Sequence, residues 1–180
     1  KVSPVHFSRQ ALIAACKASL SRVGVDFFDL YLLHRPNHLI PIEETMGAMD
    51  ELLKLGLIKN IGVSNFNVES FDEAQSVTKN KIVANQVHYN LKFTEPEVSG
   101  LLSHHQKNDV MLIAWRPVEK GFLAREHFAV LDEMAKKYKK TPVQIAINWL
   151  ISQENVVTLA KSSNIEHLKE NLGAVGWVMK

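Results

Sequence analysis

Residues 58–67 read Ile-Lys-Asn-Ile-Gly-Val-Ser-Asn-Phe-Asn, and this stretch decides the fold class. Ile58, Ile61 and Val63 make a short β-branched run of the kind that forms a buried strand. Ser64 and Asn65 stand at the C-terminal end of that run, and Asn67 is placed to cap the helix that follows. Two uncharged hydrogen-bonding side chains therefore sit where a strand stops. In α/β proteins the ligand crevice lies outside the carboxyl ends of parallel strands, so Ser64 and Asn65 are placed to touch a ligand rather than to pack.

The same arrangement recurs on both sides of this stretch. Upstream, Ser8 heads a helix with apolar positions Leu12, Ile13, Cys16, Leu20 and Val23, closed by Gly24, and a dense apolar run over 27–33 ends at His34-Arg35-Pro36. Ile42, Met46, Met49 and Leu53 give the stripe of a second helix, closed by Gly56. Downstream, a helix carrying Phe71, Ala74 and Val77 leads to a strand over 82–87 that contains Gln86 and is followed by His88-Tyr89-Asn90. Val98, Leu101, Leu102 and His105 suit a fourth helix, and residues 110–114 a fourth strand ending at Trp115-Arg116-Pro117.

A helical segment around 128–138 comes next, and then Thr141, Pro142 and Gln144 spell a capping box with proline at the first helical position. The last strand, 156–159, ends at Lys161-Ser162, where Ser163 and Glu166 predict a second capping box for a helix through Leu168 and Leu172. Strands alternating with helices must run parallel through right-handed crossovers, and their unbroken apolar character means that both sheet faces are covered. A (β/α)8 barrel or a doubly wound sheet satisfies this. No Gly-x-Gly-x-x-Gly follows a strand, which argues against a dinucleotide fold of the second kind.

The chain has 180 residues, 46% of them hydrophobic, enough for a substantial core, and no apolar run approaches the ~20 residues that span a membrane. Its 21 basic and 19 acidic residues are interspersed, which gives no reason to expect nucleic acid or a membrane surface as partner. The single cysteine, Cys16, cannot form an internal disulfide, and there is no metal-ligand spacing; a reducing, cytoplasmic setting is the simplest expectation. The first residue is Lys1, not methionine, and the first strand needs residues upstream of it, so the chain is expected to be a piece of something longer.

Collected at the strand ends are His34; Ser64 and Asn65; Gln86 and Tyr89; Trp115 and Arg116; and Lys161 and Ser162. Singly these are ordinary: a histidine after a strand is more often a structural hydrogen-bonder, Ser-Asn before a helix is usually a cap, and a lone lysine is surface. Together they suit a nicotinamide nucleotide. Ser64, Asn65 and Gln86 offer donors and acceptors to a carboxamide, Trp115 offers a stacking plane, and Lys161, Ser162 and the amides of the next helix offer a phosphate site.

Asp29-Leu-Tyr-Leu-Leu-His34-Arg-Pro36, Gly62-Val-Ser-Asn-Phe66, Asn85-Gln-Val-His-Tyr-Asn90 and Lys161-Ser162 followed by Glu170-Asn171 resemble, in order and spacing, the aldo/keto reductase superfamily. The resemblance covers nearly the whole chain. It implies one partial (β/α)8 barrel domain over 1–180, an incomplete barrel of about five β/α units that binds NADP(H) and reduces aldehydes or ketones to alcohols. By that likeness His34 orients the carbonyl, Ser64, Asn65 and Gln86 hold the carboxamide, and Trp115 stacks on the nicotinamide. Arg116 and Val118 line the pyrophosphate, Lys161 and Ser162 bind the 2′-phosphate, and Glu170 and Asn171 the adenine.

Three positions depart from the family pattern. His167 stands where an arginine is usual, so it is the residue on which preference for NADP over NAD turns; Ala160 replaces a proline; and Glu119 replaces a small residue near the pyrophosphate, which a carboxylate would repel. Of the family's Asp, Tyr, Lys and His tetrad, Lys1 and His34 match the last two. Tyr31 lies inside a strand and Tyr89 beside the cofactor motif, so neither substitutes for the proton donor, and the chain is expected to reduce carbonyls poorly. An alternative is a noncatalytic nucleotide-binding subunit resembling the β subunits of potassium channels. A phosphate-binding barrel enzyme of other chemistry, such as an aldolase, fits the carboxamide-binding set less well. Open sheet edges predict self-association or pairing with a complementing fragment.

Overall fold

A computed structural model describes residues 1–179, Ala124 by its backbone alone. In chain order the elements are α1 (Arg9–Val23), β1 (Tyr31–Leu32), α2 (Ile42–Lys54), β2 (Ile61–Ser64), α3 (Val68–Ser76), β3 (Ile82–His88), α4 (Glu95–Val98), α5 (Leu101–Lys107) and β4 (Met111–Trp115). Then come α6 (Phe122–Arg125), α7 (Ala129–Tyr138), α8 (Pro142–Ile151), β5 (Val156–Leu159) and α9 (Ile165–Leu172). The chain forms two compact units, Lys1–Gln86 and Val87–Lys180, with the boundary inside β3.

In the first unit β1 pairs with β2 in parallel, Tyr31 opposite Ile61 and Leu32 opposite Gly62, and β2 pairs with β3 so that Ser64 lies opposite Gln86. All four residues of β2 are buried, as an unbroken apolar strand requires when helices cover both faces. Leu12, Cys16 and Leu20 of α1 and Met46, Met49 and Leu52 of α2 are buried as well, each worth roughly 1.5–3 kcal/mol as a fully buried apolar side chain. Cys16 is an unpaired thiol, and burial pushes its pKa up.

The apolar run over 27–33 is less regular than its composition predicts. Only Tyr31 and Leu32 form a ladder; Phe28 and Leu33 make isolated parallel bridges, to Ile58 and Val2. Ser8 occupies the N-cap position of α1 without a side-chain cap bond, and the first helical amide, that of Arg9, donates to Oε1 of Glu44 at 2.9 Å. Asn67 caps α3 through Ser70 N as expected.

In the second unit β4 and β5 pair in parallel from Leu112 opposite Val156 to Trp115 opposite Leu159. The capping box of α8 has both its bonds, Gln144 N to Thr141 Oγ1 and Thr141 N to Gln144 Oε1. The fourth helix differs from expectation. Gly100, at φ +78°, splits it into α4 and α5, and Val98 is left 85% exposed while Leu101, Leu102 and His105 are buried. The stripe of α9 also differs: none of its residues is buried.

Candidate functional site

Each strand end fixes its polar residues through the backbone first. At the end of β2, Ser64 Oγ donates to the Gln86 carbonyl at 2.8 Å, and the Asn65 amide donates to the same carbonyl at 2.9 Å. Asn65 then turns into the left-handed region, φ +61°, where its Nδ2 reaches the His34 carbonyl at 3.0 Å and Ser64 Oγ at 3.1 Å. Asparagine tolerates that conformation better than most residues because its short amide bonds locally.

Gln86 is only 6% exposed, yet its side-chain amide makes no hydrogen bond among the described residues. The amide itself reaches solvent, and its unspent donors and acceptors are what a planar carboxamide needs opposite it.

On the same unit Val2 bridges Leu33, its carbonyl accepting from His34 N at 3.1 Å, and this sets Lys1 beside the strand end that carries His34. Burial, and then the charges of Lys1 and Arg35, push the His34 imidazole below its ordinary pKa. Burial also lowers the Lys1 ammonium. Lys1, His34, Ser64, Asn65 and Gln86 thus gather at the carboxyl ends of neighbouring strands.

In the second unit the Trp115 ring lies against His88, 4.3 Å between centroids, and the Arg116 guanidinium carbon stands 4.8 Å from its centre. Arg116, Glu119 and Lys120 all have positive φ, 59°, 43° and 56°, so the turn after β4 is strained where Val118 sits. The Asn90 side chain pins this turn by donating to the Arg116 carbonyl at 2.8 Å.

Glu119 is not the bare carboxylate that the sequence predicts. Burial pushes its pKa up, but hydrogen bonds from His88 at 2.7 Å and Asn90 at 2.8 Å, with the charges of His88 and Arg116, outweigh that and hold it below the ordinary range. His88 and Asn90, which follow Gln86 at the end of β3, are the partners of Glu119 that the sequence does not reveal.

Lys161 is exposed and makes no ion pair among the described residues. The start of α9 differs from expectation. The cap is Asn164, not Ser163: Asn164 Oδ1 accepts from Glu166 N at 2.8 Å, and Ser162 Oγ accepts from Asn164 N at 3.0 Å. Two amides at the start of the helix, those of Asn164 and Glu166, are therefore already partnered. His167, Glu170 and Asn171 follow on α9, with the Glu170 carbonyl tied to Gln144 Nε2 at 3.1 Å.

Each of the chain's three tyrosines is engaged within its own unit. Tyr31 is buried, with its hydroxyl pushed up to about 12 by burial first. Tyr89 is buried, its hydroxyl bonded to Glu97 and to Gln153 at 2.8 Å and its pKa raised by burial and by Glu97. Tyr138 packs against Trp177.

Comparison with known proteins places this geometry. The family model "Aldo/keto reductase family" matches residues 1–179. A methylglyoxal reductase of Escherichia coli is 33% identical over 175 residues, covering 95% of this chain and 61% of that protein. A thermostable aldo-keto reductase solved with the inhibitor epalrestat superposes with a TM-score of 0.96 at 41% identity, over 99% of this chain and 65% of that one. An aldo/keto reductase of Klebsiella pneumoniae solved with NADP and acetate gives 0.92 at 30% identity, over 99% and 64%. The chain thus spans less than two thirds of the length of the relatives it matches. It carries about five β/α units of a (β/α)8 barrel, and the chain belongs to the aldo/keto reductase family.

Proposed function

We propose that the chain is the cofactor-binding part of an NADP(H)-dependent oxidoreductase that reduces aldehydes or ketones. The observation that carries this reading is the unspent amide of buried Gln86 directly opposite Ser64 in the β2–β3 register, with Asn65 beside it. When bound, the nicotinamide supplies hydride. Ser64, Asn65 and Gln86 hold its carboxamide, Trp115 offers its ring plane, and Arg116 and Val118 line the pyrophosphate. Lys161 and Ser162 bind the 2′-phosphate, with Glu170 and Asn171 at the adenine.

His34, whose imidazole pKa is lowered by burial and by the charges of Lys1 and Arg35, orients a small-molecule carbonyl through its imidazole. Reduction also needs a proton donor as hydride arrives, and none of the three tyrosines is placed for it. These 180 residues by themselves therefore bind cofactor but turn over slowly, a combination that also fits a nucleotide-binding subunit without turnover. A cytoplasmic location accords with the unpaired Cys16, and no helix among the described residues is long and apolar enough to cross a membrane.

Fluorescence titration with NADPH and NADH tests the reading. NADPH is expected to bind, with a preference over NADH reduced by His167 in place of an arginine. A folded chain that binds neither nucleotide would sink the proposal. Carbonyl turnover at the rate of an intact reductase would refute the part about the missing proton donor.

A further inference from the structure

His88 leaves β3 with its imidazole between two aromatic planes. Phe93 lies 4.2 Å away between centroids at 14°, and Trp115 lies 4.3 Å away at 12°. Stacking occupies both faces of the imidazole and leaves only its edge for polar contact. That edge goes to Glu119, with Nε2 2.7 Å from Oε2, and Asn90 Nδ2 donates to the same oxygen at 2.8 Å. Arg116 lies 3.9 Å from the other carboxylate oxygen. Glu119 and Arg116 belong to one strained turn, so whatever fixes the carboxylate also decides which way that turn presents its cation.

We propose that His88 is a positioning residue for the anionic middle of the cofactor: it holds Trp115 in plane and draws the Glu119 carboxylate onto itself, leaving Arg116 to a pyrophosphate, while the Glu119 and Gly121 amides stay bonded to the Arg116 and Val118 carbonyls within the turn. The inference rests on the reading of the chain as a binder of NADP(H). Without His88, the Glu119 carboxylate loses the hydrogen bond that holds it away and competes with the phosphates for Arg116. The structural alternative is that His88 merely fills space between Phe93 and Trp115.

A double-mutant cycle on ADP-ribose, which carries the pyrophosphate without nicotinamide, separates the two. On the full chain, His88→Ala is expected to weaken ADP-ribose binding about tenfold, Glu119→Gln to tighten it about threefold, and the double variant to return within about threefold of the starting affinity. The cycle is run in parallel with His88→Asn, so that a loss of fold in one variant, seen by circular dichroism, leaves the other to decide.

Equal losses in the single His88 variant and the double overturn the proposal, because His88 then acts by packing alone. Weaker binding in Glu119→Gln overturns it too, because the carboxylate is then itself a ligand. If the unaltered chain binds neither ADP-ribose nor NADPH, the cofactor reading falls and takes the proposal with it, whereas binding without rescue removes the proposal alone. With Trp149 and Trp177 replaced by Phe, Trp115 emission gives a readout independent of nucleotide. It is expected to change in Glu119→Gln as well as in His88→Ala, and a response to His88→Ala alone counts against the carboxylate's part in holding the stack.

Discussion

Gln86 is the residue on which the cofactor assignment can be tested most directly. Its amide faces no protein partner, so Gln86→Ala removes a neutral hydrogen bond to a bound carboxamide, at roughly 0.5–1.5 kcal/mol, and is expected to weaken NADPH roughly twofold to tenfold. ADP-ribose, which lacks the carboxamide, should bind the variant as it binds the parent; an equal loss for both ligands would show that Gln86 acts through the fold instead. Asn65 invites a different comparison. At φ +61° an alanine bears about 1–2 kcal/mol of left-handed strain that a glycine does not, so Asn65→Ala should lower the urea midpoint more than Asn65→Gly. Ser64, Asn65 and Gln86 were legible as strand-end polar residues because a short β-branched run announces where each strand stops. The left-handed turn at Asn65 and the pairing of His88 with Glu119 were not, since both depend on partners distant in sequence: the His34 carbonyl in one case, residue 119 in the other.

At the scale of elements, local signals held where a helix supplies its own cap and gave way where a neighbour supplies it. The Thr141–Gln144 box is self-contained and formed as written, so Thr141→Ala is expected to cost about 1 kcal/mol in chemical denaturation. Ser8, at the N-cap of α1, makes no side-chain cap bond, while Glu44 of α2, distant in sequence, satisfies the first helical amide. At the start of α9 the cap is Asn164 and not the expected Ser163.

Helix α5 carries a further consequence. His105 is fully buried, and burial, followed by the charge of His104, pushes its pKa down from 6.5 to about 4. The folded state thus holds the neutral ring, and the unfolded chain binds a proton first as pH falls. This contribution to stability is intact above pH 6.5 and is lost between 6.5 and about 4, by an amount on the order of 3 kcal/mol. His105→Phe should flatten that part of the stability profile; an unchanged slope over the window would show that His105 is not the group responsible.

The whole molecule raises the question of what the exposed apolar surface does. Of the eight β/α units that close a barrel of this family the chain carries about five, and closure is what removes sheet edges. The exposure falls on particular elements. Val157 and Leu159 of β5 are 41% and 54% exposed, and Ile165, Leu168 and Leu172 of α9 are 68%, 45% and 72% exposed. In the other unit, Ala11, Ala14, Ala15 and Ala18 of α1 line an open groove of about 590 Å³. Small side chains along one helix face let another element approach closely, and β5 has no partner on its far side among the described residues. Scattered apolar residues are normal on a protein surface, but β5 and α9 are consecutive elements, and their exposed groups come from one stretch of chain. As a separate 180-residue species the chain is therefore expected to associate as concentration rises, with itself or with a fragment that completes the barrel. In sedimentation velocity the mean mass should climb above that of one chain, and Leu168→Glu with Leu172→Glu should reduce it while leaving the circular dichroism spectrum unchanged, since neither side chain contributes to the core. A parent chain that sediments as a single monomer at every accessible concentration would mean that these apolar groups are tolerated in water.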